Sequence, residues 1–351
     1  MSDLKVRVAI SQGDINGIGW EVILKTFADP SIFDLCSAVV YGSSKTASQH
    51  RKSLNSEEYQ FAPARDADQA NPRKLNVVNV YEEDVPVEFG KPSDNGGKYA
   101  LLSLEGACNA MLQGKADVLL TAPINKHTIQ SAQFPFTGHT TYLQNKFSAS
   151  ESLMMLCAPN MKVGLVTDHV PVSEIATGIT IDSVFAKILL MNSSLIRDFG
   201  IRRPKIAVLG LNPHSGDGGT IGREELDIII PAINKAKEMN LNIYGTYAAD
   251  GFFGNGAYSS FDGVLAMYHD QGLAPFKALS FSEGVNFTAG LPIVRTSPDH
   301  GTGFDIAGQN KANEASFRAA LYFAIDVFRK RLEYQSISAS PLVHEPGKKE
   351  R

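Results

Sequence analysis

The stretch VRVAISQGDINGIGWEVILKTF, residues 6–27, carries the fold in miniature. Its first part, Val6–Ser11, is a short apolar run rich in β-branched residues and without strict alternation, which suits a strand buried on both faces. Residues 17–27 then change to the spacing of an amphipathic helix. The same pair recurs along the chain. Apolar runs at 38–42, 75–80, 118–122, 153–157, 163–167, 206–211, 243–247 and 264–268 read as strands, and 99–113, 181–199, 223–239 and 313–331 read as helices. Strand–helix repetition over this length predicts an α/β fold with a mainly parallel sheet and helices on both faces. Residues 43–73 are polar and weakly periodic, and read as a helix plus a surface loop. The proline-bearing tail from 336 to 351 is expected to fray. No clean linker divides the chain, so its domains are expected to be discontinuous.

Composition narrows the function. The 351 residues carry a formal net charge of -4 and no long block of Lys and Arg, which argues against a nucleic-acid-tracking stripe. Cys36, Cys108 and Cys157 are widely spaced among apolar or small residues and read as buried, reduced thiols. The opening segment is too short and strand-like for a signal peptide, and no apolar run reaches membrane-spanning length. A soluble cytoplasmic protein is expected, with neither nucleic acid nor membrane as a partner. The Rossmann fingerprint GxGxxG, the P-loop and the GxSxG elbow are all missing from the sequence.

In an open α/β sheet, ligands bind beyond the carboxyl ends of strands. Three predicted strands end in histidine: GLVTDH at His169, VLGLNPH at His214 and VLAMYH at His269. Singly each could be a structural histidine. Together they suggest three imidazoles on one rim, a donor set that suits a catalytic divalent metal. Asp168 and Asp270 adjoin two of them, either to orient an imidazole or to cap a following helix. A second group suits anions: His139 and Thr140 in TGHTTYL, Lys277, Asn286 in GVNFTAG, Arg295 in IVRTSPDHG and Lys126 after a strand end.

The runs GDINGIGWE, LLTAPINK, FTGHTTYL, TDHVPV, GLNPHSGDGG, LAMYHDQGLAPFK and GVNFTAGLPIVRTSPDHGTGFDIAG resemble the 4-hydroxythreonine-4-phosphate dehydrogenase family of pyridoxal phosphate biosynthesis. The resemblance extends from about Val6 to the last long helix. It implies an isocitrate/isopropylmalate dehydrogenase-like fold of two α/β/α domains, 1–135 with 290–351 and 136–289, in a homodimer with active sites in the interdomain cleft at the interface. It implies that His169, His214 and His269 hold a divalent metal (zinc, magnesium, cobalt or manganese), shared across the dimer. His139, Thr140, Lys277, Asn286 and Arg295 would bind substrate. Lys126, Asp250 and Asp270 are the candidates for general base, and NAD or NADP the hydride acceptor.

The implied reaction is oxidation of 4-phosphooxy-L-threonine to a β-keto acid, which decarboxylates to 3-amino-2-oxopropyl phosphate. The alternative keeps the chemistry and changes the substrate to threonate or erythronate 4-phosphate, which lack the amine. This sequence departs from the family pattern at Ile15 and Trp20, where two prolines are usual, and at Thr141, where GHTE has become GHTT. The first pair is expected to cost the loop rigidity. A hydrolase or acyltransferase would need a nucleophile motif, which the sequence lacks.

Overall fold

The computed structural model describes residues 5–55, 58–130, 134–136, 138–280 and 283–339. Twelve strands follow in chain order: β1 Val6–Ser11, β2 Cys36–Gly42, β3 Ala62–Ala64, β4 Asn76–Asn79, β5 Val118–Thr121, β6 Leu153–Ala158, β7 Met161–Leu165, β8 Lys205–Leu209, β9 Asn242–Tyr247, β10 Gly263–Ala266, β11 Val285–Ala289 and β12 Val294–Pro298. They form one sheet in the order β3-β4-β2-β1-β5-β12-β11-β6-β7-β10-β8-β9.

The expected α/β layering is present, but the sheet is mixed. β3, β4, β2, β1, β5 and β12 are mutually parallel, as are β7, β10, β8 and β9. Between these halves, β12–β11, β11–β6 and β6–β7 pair antiparallel. The carboxyl ends of the two halves therefore leave opposite edges of the sheet. β7, β10 and β8, which precede His169, His269 and His214, all end on one edge.

Each apolar run predicted as a strand overlaps one. β11 and β12 were read only as substrate-binding sequence, because Asn286, Thr288, Arg295 and Thr296 interrupt any apolar run there. The C-terminal helix Ala315–Ser338 runs beyond the predicted end at 331, which corrects the expectation of fraying from 336. Residues 340–351 of that tail lie outside the described residues. Helix and sheet close a continuous core that includes Trp20, Phe287 and Phe317, all fully buried. Burial of one such side chain contributes roughly 1.5–3 kcal/mol.

Candidate active site

A cavity of about 240 Å³ lies against the antiparallel centre of the sheet. Ala122, Pro123, Ile124 and Lys126, beyond β5, form one wall, and His139, Thr140 and Thr141 open the helix His139–Lys146 above it. Met154 of β6, Asn286 of β11, and Arg295 and Ser297 of β12 supply its floor. Asp168 and His169 enter after β7, and His300 and Gly301 after β12. Two of the polar residues that hide β11 and β12 from an apolar-run reading, Asn286 and Arg295, are thus ones the cavity uses.

Arg295 dominates the electrostatics. It is 2% exposed, yet no carboxylate pairs with it among the described residues. Its Nη1 donates to Thr288 Oγ1 at 3.1 Å and its Nη2 to Thr121 Oγ1 at 2.7 Å, while Nε has no partner. Burial lowers the guanidinium to about 10, so it remains charged at neutral pH. Burial first, then the charges of Arg295 and Lys126, hold His139 well below the ordinary histidine range, so it is neutral. Burial also lowers the Lys126 ammonium, with Asp168 opposing the shift.

Several inward polar atoms lack a partner among the described residues: His139 Nε2, Asn286 Oδ1 and His300 Nε2. Buried polar atoms are nearly always bonded, so a cluster of exceptions in one cavity marks a place for a polar ligand. His300 was not singled out from the sequence, although it stands in the same RTSPDHG run as Arg295. Its Nδ1 lies 3.0 Å from the Gly301 carbonyl, an arrangement that makes Nδ1 the donor and Nε2 the acceptor.

His169 and His269 meet beside the cavity, with ring centroids 5.7 Å apart. His269 Nδ1 lies 3.0 Å from Asp270 Oδ1 and His169 Nδ1 3.8 Å from Asp168 Oδ2, so each carboxylate faces the ring next to it in sequence. His214 does not join them. It sits exposed in the turn Pro213–Gly219, on the strand next to β10, and among the described residues no group of three His, Cys, Asp or Glu side chains is arranged to hold a metal. Lys277 pairs with Asp299 Oδ1 at 3.0 Å; neither lines the cavity, although Asp299 stands between the lining residues Pro298 and His300. Asp250 and Asp270 are exposed and do not line the cavity, whereas Lys126 does.

The glycines of the first loop serve packing. A Cβ on Gly13 would lie 2.4 Å from the Pro123 carbonyl oxygen, one on Gly17 2.7 Å from that of Thr302, and one on Gly19 2.3 Å from that of Gln12. They let neighbouring backbone approach and do not form a dinucleotide turn.

Three comparisons with known proteins give concordant matches. Residues 34–324 match the model of the family described as pyridoxal phosphate biosynthetic protein PdxA. A 4-hydroxythreonine-4-phosphate dehydrogenase of Bacteroides thetaiotaomicron is 53% identical over 97% of this chain and 94% of its own length. One from Sulfurihydrogenibium is 41% identical over 93% of this chain and 99% of its own. The crystal structure of the Klebsiella pneumoniae 4-hydroxythreonine-4-phosphate dehydrogenase superposes with a TM-score of 0.80 at 30% identity, covering 92% of this chain and all of that one.

Proposed function

Because the chain belongs to the PdxA family of 4-hydroxythreonine-4-phosphate dehydrogenases, oxidoreductases of pyridoxal phosphate biosynthesis, we propose that it oxidises 4-phosphooxy-L-threonine with NAD or NADP. The β-keto acid so formed loses carbon dioxide to leave 3-amino-2-oxopropyl phosphate. The observation that carries this reading is Arg295, a buried cation with no protein counter-charge, facing the same cavity as Asn286, His139 and Lys126. With Asp168 the one carboxylate among the described lining residues, set nearer Lys126 than Arg295 in its effect, the site suits a phosphorylated acid whose anion pairs with Arg295.

The donor chemistry beside it suits a divalent ion. Burial, then Lys126, lowers His169 and favours the neutral imidazole that ligates metals. His169 and His269 adjoin in one chain, and we assign His214 as the third ligand, supplied across a homodimer interface. Exposed apolar side chains flank both histidine loops, Val170 and Val172 after His169 and Ile221 and Leu226 after His214, as a buried interface would require. When bound, the metal would acidify the substrate hydroxyl and the nicotinamide would accept hydride.

The chain's own groups then divide the work. Arg295, Asn286, His139 and Thr140 hold the anionic end of the substrate, and Lys277 closes the rim beside Asp299. Lys126 is the general base that takes the hydroxyl proton; its cavity position favours it over Asp250 and Asp270. Sheet order supports the two-domain division, because β12 and β11 adjoin where 290–351 meets 136–289. No single described helix is long and apolar enough to cross a membrane, in keeping with a cytoplasmic enzyme.

The test is NADH or NADPH formation by the purified protein with a divalent metal and 4-phosphooxy-L-threonine, beside threonate and erythronate 4-phosphates and a chelator control. Chelator-sensitive turnover that prefers the amino acid supports the proposal. Preference for either sugar acid would overturn the substrate, and turnover indifferent to chelation would overturn the metal.

A further inference from the structure

The turn that carries His214 is strained. His214, Ser215 and Asp217 have φ of 52°, 53° and 44°, with Gly216 at 79° and Gly218 at 66°. Five successive residues thus occupy the left-handed region, three of them with a Cβ, a conformation that L side chains rarely adopt. Something must hold the chain there.

Glu225, 2% exposed, lies beneath the turn. Its carboxylate accepts from the backbone N–H of Leu211 and of Asn212, both at 2.7 Å, and from the Asn212 side-chain amide at 3.0 Å. Two glycines make room for it: a Cβ on Gly210 would stand 3.0 Å from Glu225 Oε1, and one on Gly216 2.5 Å from Oε2. No Lys or Arg pairs with it among the described residues, so these N–H groups are its counter-charge. Gln271 ties the same loop to its neighbour, donating to the Gly210 carbonyl at 2.6 Å and accepting from Met267 N–H at 2.7 Å, just before His269.

We infer that Glu225 is the positioning residue for His214: its carboxylate gathers the end of β8 and locks the left-handed turn that aims the imidazole. The inference rests on the reading of His214 as a metal ligand. A glutamine at 225 would keep the shape and could still offer its oxygen to both backbone N–H groups, but it would lose the charge they answer and set its amide N–H₂ against the Asn212 side-chain amide, loosening the turn.

The experiment is a Co²⁺ titration of the metal-stripped, full-length protein, followed by visible absorption, with the Tm of the metal-free protein measured alongside. Glu225→Gln should weaken Co²⁺ binding about tenfold or more and change the absorption band, as losses of ligand-orienting partners do. His214→Ala should weaken it at least as much. If His214→Ala weakens binding while Glu225→Gln matches the parent in affinity and spectrum, positioning by Glu225 is overturned and the ligand reading stands. If His214→Ala itself binds like the parent, the ligand reading falls and takes this inference with it. Should Glu225→Gln fail to fold, Asn212→Ala removes only the side-chain amide from Glu224 and Glu225. A weaker, spectrally altered complex in that variant supports positioning, and an unaltered one overturns it.

Discussion

The indole Nε1 of Trp20 donates to the side-chain oxygen of Gln12 at 3.0 Å, with both residues fully buried. Gln12 passes the bond on, its amide donating to Tyr81 Oη at 3.0 Å and to the Tyr99 carbonyl at 3.2 Å, and Tyr81 meets Thr46 Oγ1 at 3.1 Å. Ile15, also fully buried, packs with Tyr81, Val85 and Tyr99. The two departures from the family's proline pattern therefore do not leave the first loop loose. Side-chain packing and a satisfied polar network replace the rigidity of the rings. Trp20→Phe should lower stability to urea by about 2–3 kcal/mol, because it opens space and leaves the Gln12 oxygen only a long bond from Tyr81 Oη at 3.4 Å. KM for the substrate should stay unchanged. A variant as stable as the parent would show that the network is incidental.

Most of the fold was legible because strands such as β1 and β5 are buried on both faces and so read as apolar runs. β11 and β12 escaped that reading because a cavity needs polar side chains inside strands, and Asn286 and Arg295 break the pattern for that purpose. His169, His214 and His269 read alike in sequence, as strand ends on one rim, and it is the pairing of β7 with β10, which only the fold shows, that brings His169 and His269 together. The place of His214 could not be read, because left-handed backbone and bonds from Leu211 and Asn212 to Glu225, fourteen and thirteen residues on, leave no periodic trace. His300 lay within a quoted motif, but only the folded chain turns its Nε2 inward.

His50 makes stability pH-dependent. Its Nε2 lies 2.7 Å from the Ile15 carbonyl, and burial pushes the ring down to about 4 from 6.5, against a smaller opposing effect of that bond. The unfolded chain therefore takes up a proton between these values while the folded chain does not. The stability is fully present above pH 6.5 and is lost as pH falls towards 4, by about 3 kcal/mol. His50→Gln keeps a donor for Ile15 and removes the titration. Urea midpoints across this range should fall less steeply in the variant; parallel slopes would rule His50 out.

Asp198 joins the helix Ile181–Arg197 to the C-terminal helix. Its carboxylate accepts from Arg331 Nε at 2.7 Å, Arg197 Nε at 2.8 Å and Ser194 Oγ at 2.8 Å. Burial alone would raise its pKa, but Arg331 and Arg197 together hold it below the ordinary carboxylate value. Asp198→Asn would leave the Arg331 guanidinium without its counter-charge in the core. A loss of about 3–5 kcal/mol is expected, the usual result of removing one partner from a buried pair. Calorimetric unfolding would measure it, and a change below about 1 kcal/mol would mean that water reaches and compensates Arg331.

Arg295 should show the opposite signs for folding and for function. In the free protein its charge is buried with two threonine hydroxyls as partners and no anion, a state that costs stability. Arg295→Met keeps similar length without the charge, so the ligand-free protein should melt about 2–4 °C higher. The same change removes the charged donor offered to the substrate's anion, so kcat/KM should fall about 100-fold or more, chiefly through KM. Arg295→Lys retains charge but cannot span both Thr121 and Thr288, and should lie between the two in activity. A Met variant that is less stable and binds substrate normally would assign Arg295 to the core instead. A rise in Tm with a loss of substrate affinity would mark it as a charge that the fold tolerates for the sake of its ligand.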